Sequence, residues 1–216
     1  MVYIIDITGN IASTKTTLIN YIKSLCSDTD LTKVGFVEED ALEKIWRGNN
    51  LFKNFYDDKE KHGYEIQKVI NDSMCEEILR LIKIGLSVIV IDRGLMARNN
   101  VFGKINCPSF INQLNIDYKS FMDNTNKYYY IRTSPEGCLH RATKRNRLDE
   151  KLDIDYLTKI HTELENIFNE MFLTLVSNFK YKVEIIDFSI YNEDIPAELI
   201  KSTALRIYNF VKELYI

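Results

Sequence analysis

An α/β fold, five parallel strands with helices on both faces, is what this 216-residue sequence predicts, and three observations carry that reading. Strand-like apolar runs alternate with helical stretches five times, from Val2–Ile7 to Val183–Asp187. Such alternation implies crossover connections and a parallel sheet covered on both sides. The run Leu86-Ser87-Val88-Ile89-Val90-Ile91 closes on Asp92-Arg93-Gly94, as a buried parallel strand does when it delivers charge to the C-terminal edge of its sheet. The first run breaks at Gly9 and restarts as a helix at Lys15, which gives strand, loop, helix.

That first loop carries chemistry. Gly9-Asn10-Ile11-Ala12-Ser13-Thr14-Lys15-Thr16 follows the phosphate-loop pattern GxxxxGK[ST] everywhere but at Thr14, where glycine is expected. Backbone N–H groups and a helix N-terminus hold an anion, Lys15 adds a full charge, and Thr16 supplies a hydroxyl for a magnesium ion. A β-branched residue in a left-handed conformation costs roughly 1–2 kcal/mol, so the loop adjusts or weakens at Thr14. Taken alone, the stretch is equally a strand-to-helix turn with a surface lysine.

The remaining elements follow in order. Leu18, Ile19, Tyr21, Ile22 and Leu25 have helical spacing and end near Ser27-Asp28. Val34–Val37 reads as a short strand followed by Glu38-Glu39-Asp40, which places carboxylates where open α/β sheets bind ligands; an acidic first helical turn explains them as well. Leu51–Leu86 is mostly helical, with an apolar face through Ile66, Ile70, Met74 and Ile78. Gln67 lies near that face, either as boundary polarity or as a side chain able to read a base edge with one donor and one acceptor. Residues Asn99–Asn126 look polar and irregular apart from a helix around Pro108–Leu114, and Tyr128–Ile131 is the fourth strand. Ser134 and Pro135 start a helix bearing Arg141, Lys144, Arg145 and Arg147 ahead of Asp149-Glu150. Such a run is a solvated face or a lid over a triphosphate. A helix at Ile154–Phe179, the last strand and a helix at Ala197–Leu214 complete the chain.

Composition sets outer bounds. With 45% hydrophobic residues and a net charge of -3, residues 1–216 are expected to form a single domain without a polybasic surface for nucleic acid or membrane. Cys26, Cys75, Cys107 and Cys138 show no CxxC pairing, which argues against zinc and for reduced thiols. No leader pattern and no apolar run near the roughly 20 residues of a membrane span is found. A cytoplasmic protein is expected.

Together these stretches resemble the deoxyribonucleoside kinases of the cytosolic, mitochondrial and insect type, including deoxycytidine, deoxyguanosine and mitochondrial thymidine kinases. The loop is similar to that family's GNIGxGKS/T, Asp92-Arg93-Gly94 to its Glu-Arg-Ser, Arg132 to Glu136 to its Arg-Thr-Ser-Pro-Glu, and Arg141, Arg145, Arg147 and Glu150 to its RxxxRxRxxE. The resemblance implies a P-loop kinase fold with a short helical lid at about residues 141–152. The implied activity is ATP-dependent phosphorylation of a deoxynucleoside 5′-hydroxyl, with Mg2+, in a homodimer. Lys15, the loop from Gly9 to Thr17, and Arg141, Arg145 and Arg147 would hold ATP; Thr16 and Asp92 would hold the metal. Glu38 would be the base, with Lys15 and Arg93 as catalytic cations. Tyr56 and Glu150 would meet the sugar 3′-hydroxyl, Gln67 the base edge, and Trp46, Phe55, Met74, Arg93 and Arg98 would complete the nucleoside pocket.

Departures from the family pattern matter as much. Ala12 replaces a second loop glycine, Glu39 stands where proline is usual and is a rival base, Trp46 fits only with a three-residue offset, and Gly94 lacks a serine hydroxyl. Met74 favours a pyrimidine, thymidine or deoxycytidine, whereas Arg98 would donate to a carbonyl of guanine or thymine. A nucleoside monophosphate kinase, or a nucleotide-binding protein weakened by Thr14 and Gly94, are the alternative readings.

Overall fold

The computed structural model describes residues 2–39, 41–42, 51–147, 152–174 and 183–215, with the side chains of Phe52, Tyr56, Lys59, Glu60 and residues 172–174 outside that description. Five strands form one sheet: β1 (Tyr3–Gly9), β2 (Val34–Val37), β3 (Val88–Asp92), β4 (Thr125–Arg132) and β5 (Val183–Asp187). Their order is β2-β3-β1-β4-β5 and every pairing is parallel. The expected fold is therefore the one observed.

Helices cover both faces because alternate strand residues are apolar on both sides. On one face lies α4 (Lys59–Lys83), reached through α1 (Lys15–Leu25), α2 (Asp28–Leu31) and α3 (Leu51–Asp57). Its Ile66, Ile70, Met74 and Ile78 pack with Ile4, Ile89 and Ile91. Further on come α5 (Ile111–Asp117), α6 (Lys119–Asp123), α7 (Pro135–Arg145), α8 (Ile154–Thr174) and α9 (Ala197–Glu213). Leu18, Ile19 and Ile22 of α1 meet Ile207 and Val211 of α9 over Ile5, Ile7, Val88 and Val90. Phe168 of α8 stacks on Tyr130 of β4 with ring centroids 4.7 Å apart. Among the described residues, no helix is long and apolar enough to cross a membrane.

Register positions the site. Ile7 pairs with Asp92 and Gly9 with Ile131, so the loop after β1 and the turn after β3 leave the sheet side by side. That is the edge where an open parallel sheet gathers its ligands.

Two stretches differ from the sequence reading. Residues 99–106, the start of the stretch expected to be irregular, continue a run of three consecutive helical segments over residues 95–106 whose middle, Arg98–Gly103, is π-helical. Their polarity is turned inward, since Arg98 and Asn99 are buried. β4 begins three residues earlier than its apolar run does.

Candidate active site

Thr14 caps α1 at φ 77°, ψ 6°, and Ala12 lies at φ 56°. Both are left-handed, so the two positions where glycine was expected are the two that need it. The Thr14 hydroxyl is buried without a hydrogen-bond partner. Other bonds, both local and long-range, brace the loop instead. Asn10 donates through Nδ2 to the Leu157 carbonyl at 2.9 Å and accepts from Ile11 N at 2.8 Å. Arg141 donates through Nε to the Ala12 carbonyl at 2.8 Å and through Nη1 to the Glu193 carbonyl at 2.6 Å. Lys15 folds back on the loop, with Nζ donating to the Asn10 carbonyl at 2.7 Å and to Ser13 Oγ at 3.2 Å. Burial, and after it the charge of Arg93, lowers its pKa to about 7. An anion in the loop would restore the charged form.

The turn after β3 is built around Arg93, itself left-handed at φ 58°. Its backbone N–H donates to the Ile7 carbonyl at 3.0 Å. Its Nη1 donates to both carboxylate oxygens of Glu39, at 2.8 and 2.9 Å, and its guanidinium rests on the Phe102 ring at 4.7 Å. Arg98 donates through Nε to the Arg93 carbonyl at 2.8 Å and brings Nη2 to 3.5 Å from Glu39. Burial alone would raise the Glu39 carboxyl; Arg93 and then Arg98 outweigh it and hold it at about 2. Glu38 turns the other way, onto the surface, where it pairs with Lys23 at 2.5 Å. Glu39, and not the expected Glu38, faces the basic cluster.

Beneath this turn lies Asp6, in the middle of β1. It accepts from the Gly94 N–H at 2.9 Å, and a Cβ at Gly94 would stand 2.5 Å from its Oδ2. Glycine at 94 is thus the complement of an aspartate at 6. Burial raises the Asp6 carboxyl to about 7, against the Gly94 bond that draws it down.

Loop and turn open on a cavity of about 520 Å³. An anion cradle facing a carboxylate clamped by arginines is a geometry for moving a phosphoryl group onto a hydroxyl. Residues 5–212 match the sequence model of the deoxynucleoside kinase family. The chain belongs to that family. Among its relatives is a protein of Invertebrate iridescent virus 3 provisionally named a kinase (029R), 27% identical over 96% of each chain. Another is the deoxycytidine kinase of Homo sapiens, 25% identical over 84% of this chain and 80% of that protein. The Bos taurus deoxycytidine kinase is 24% identical over the same shares.

Set against what the resemblance to this kinase family implies, most of the site residues converge. Ile11 to Thr17, Phe55, Gln67, Arg93, Arg98, Arg141, Arg145 and Arg147 all line the cavity. Gly9 and Asn10 are buried beneath the loop. Arg141 is already bonded to main-chain carbonyls, so it acts as a strut between the loop and the segment after β5. Met74 is fully buried in the core and does not line the cavity, because the apolar face of α4 claims it. Trp46, Glu150 and the Tyr56 side chain lie outside the described residues. Glu39, Phe102, Asn106 and Tyr156 also line the cavity; apart from Glu39, sequence reading gave them no role. Asp6 could have been found as a charge within an apolar strand.

The donor set for a divalent cation fits. Thr16 donates its hydroxyl to Asp92 Oδ2 at 2.9 Å, and Asp92 Oδ1 is buried without a hydrogen-bond partner. Burial raises the Asp92 carboxyl, with Lys15 opposing. A cation held by these two residues would take up the orphaned oxygen and draw the carboxyl back down.

Proposed function

We propose that this kinase transfers the γ-phosphoryl group of ATP to the 5′-hydroxyl of a deoxyribonucleoside, giving the deoxynucleoside monophosphate. The observation that carries this reading is Glu39, half-buried in the cavity wall, fixed by Arg93 and flanked by Arg98. The hydroxyl oxygen bonds to phosphorus as the bond from phosphorus to the bridging oxygen of the diphosphate breaks, and the hydroxyl proton passes to Glu39. A carboxylate at about 2 is a weak base. It suits a loose transition state, in which charge neutralisation outweighs early proton removal. Lys15, Arg93 and the lid arginines Arg145 and Arg147 supply that neutralisation. Mg2+ held through Thr16 and Asp92 would neutralise charge on the phosphate oxygens. Gln67 meets the base edge, Phe55 packs in the nucleoside pocket, and Tyr56 and Glu150 are assigned the sugar.

The same reading makes the chain one domain with a lid at about residues 141–152, in a cytoplasmic homodimer, with a pyrimidine preferred. A coupled ADP-release assay over the four deoxynucleosides tests it. Turnover with at least one is expected, and none with any would sink the assignment. Activity on deoxynucleotides but not on deoxynucleosides would instead select a monophosphate kinase.

A further inference from the structure

Gln67 does not stand alone in the cavity wall. One turn further along α4, Asn71 accepts from Gln67 Nε2 at 3.4 Å, a long bond. Asn71 Nδ2 donates to Asn99 Oδ1 at 2.6 Å, and Asn99 Nδ2 donates to the Leu114 carbonyl at 3.2 Å, with Met122 Sδ also near it at 3.9 Å. Gln67, Asn71 and Asn99 are all buried, Asn71 and Asn99 fully. Three amides from two elements thus run from the cavity to a main-chain carbonyl on α5.

The chain of bonds has a direction, and its far end fixes it. A carbonyl oxygen and a thioether sulfur only accept, so Asn99 must present its NH2 group to Leu114 and Met122. Its oxygen then faces Asn71, which must answer with its own NH2. The Asn71 oxygen is left for Gln67, which must answer with Nε2. A flipped Gln67 would set two buried acceptors against each other, which is disfavoured.

We propose that Asn71 and Asn99 are positioning residues that lock the Gln67 amide in one of its two orientations, and so decide which pyrimidine edge the pocket accepts. This rests on the reading of Gln67 as the base-facing residue. One Nε2 hydrogen is spent on Asn71, while Oε1 and the second hydrogen remain as a paired acceptor and donor in a fixed order. Thymine offers a donor at N3 and an acceptor at O4; cytosine offers an acceptor at N3 and a donor at its amino group. A glutamine free to flip serves both in one pose, whereas a locked glutamine serves one.

Calorimetric binding of thymidine and of deoxycytidine tests this without requiring turnover. The unaltered chain is expected to separate the two by roughly 10- to 100-fold, the range for one bidentate contact. In Asn71→Leu, the two affinities are expected to converge to within about threefold while ATP affinity is unchanged. Asn71→Ala gives the same reading without added bulk if leucine is not accommodated. A folded Asn71 variant that keeps the original ratio overturns the proposal, as does an unaltered chain that binds both equally. Gln67→Leu separates the two levels of the argument. Loss of affinity for the favoured nucleoside, down to that of the other, supports Gln67 as the base contact, and no change removes that contact and the lock with it. An unaltered chain that binds ATP but neither nucleoside would remove the nucleoside kinase reading itself.

Discussion

Two left-handed turns leave the same edge of the sheet, and they handle their backbone strain differently. After β3, Arg93 at φ 58° is held by its N–H on Ile7, by Arg98 on its carbonyl and by Asp6 on the next N–H. The loss of a side chain at 94 is matched by a carboxylate that fills its place. After β1, Ala12 has a brace in Arg141, but Thr14 at φ 77° has a buried hydroxyl with no partner. One departure from the family pattern is compensated and the other is not. A missing motif residue therefore says little until its neighbours in space are known.

The largest test removes the charge from each turn. Lys15→Ala and Arg93→Ala are each expected to lower kcat/KM by about 3–4 kcal/mol of transition-state stabilisation; a rate within a few-fold of the original in either variant would break the pairing of the two turns in one site. Next comes the base. Glu39→Gln is expected to reduce kcat by about 100-fold or more with nucleoside binding kept, whereas Glu38→Gln loses only a surface ion pair and should change kcat by less than about twofold. The reverse result would return the base to Glu38.

The compensation itself comes third. Gly94→Ser forces a Cβ against Asp6 and is expected to destabilise the protein by about 1–3 kcal/mol. Combined with Asp6→Ala, the loss should be smaller than the sum of the two single losses by about 1–2 kcal/mol, read from urea unfolding. Strict additivity would show that the two positions are independent. The pH dependence checks the same contact. A carboxyl raised from 3.8 to about 7 on folding contributes stability that is fully present below about pH 4 and lost as pH rises through 7. Asp6→Asn has no such group, so its stability relative to the unaltered chain should improve from pH 5 to pH 8.

How much of this was legible follows from where each signal lies. Buried parallel strands are long apolar runs that end in glycine and charge, so the sheet and its loaded edge could be read directly from β1 and β3. The choice between Glu38 and Glu39 could not. Neighbouring residues at a strand end point to opposite faces, and a shift of one residue exchanges them. Met74 was given to the nucleoside pocket by the family resemblance alone; its helical spacing describes the core, and the core claimed it. Asn99 opens a stretch that looked like a loop because it is polar; there the polarity is spent on buried hydrogen bonds. The pairing of Asp6 with Gly94 spans 88 residues of sequence, and no local pattern announces it.

The smallest effect bears most directly on the uncompensated turn. Thr14→Gly removes a β-branched residue from a left-handed position, worth about 1–2 kcal/mol, and a buried unpaired hydroxyl, worth about 1–3 kcal/mol. Against this, glycine gives the unfolded chain freedom worth about 0.5–1 kcal/mol. A net gain of at least about 1 kcal/mol is expected, a rise in Tm of roughly 2–4 °C or more for a chain of this size. Ala12→Gly should gain less, because alanine is unbranched and Arg141 already fixes the carbonyl beside it. If the loop strain only stores energy, Thr14→Gly will raise Tm and leave kcat/KM for ATP within about twofold. If it also spoils the cradle, kcat/KM will rise along with Tm. A fall in both would mean that the Thr14 side chain supports the loop through its packing, and the contrast between the two turns would disappear.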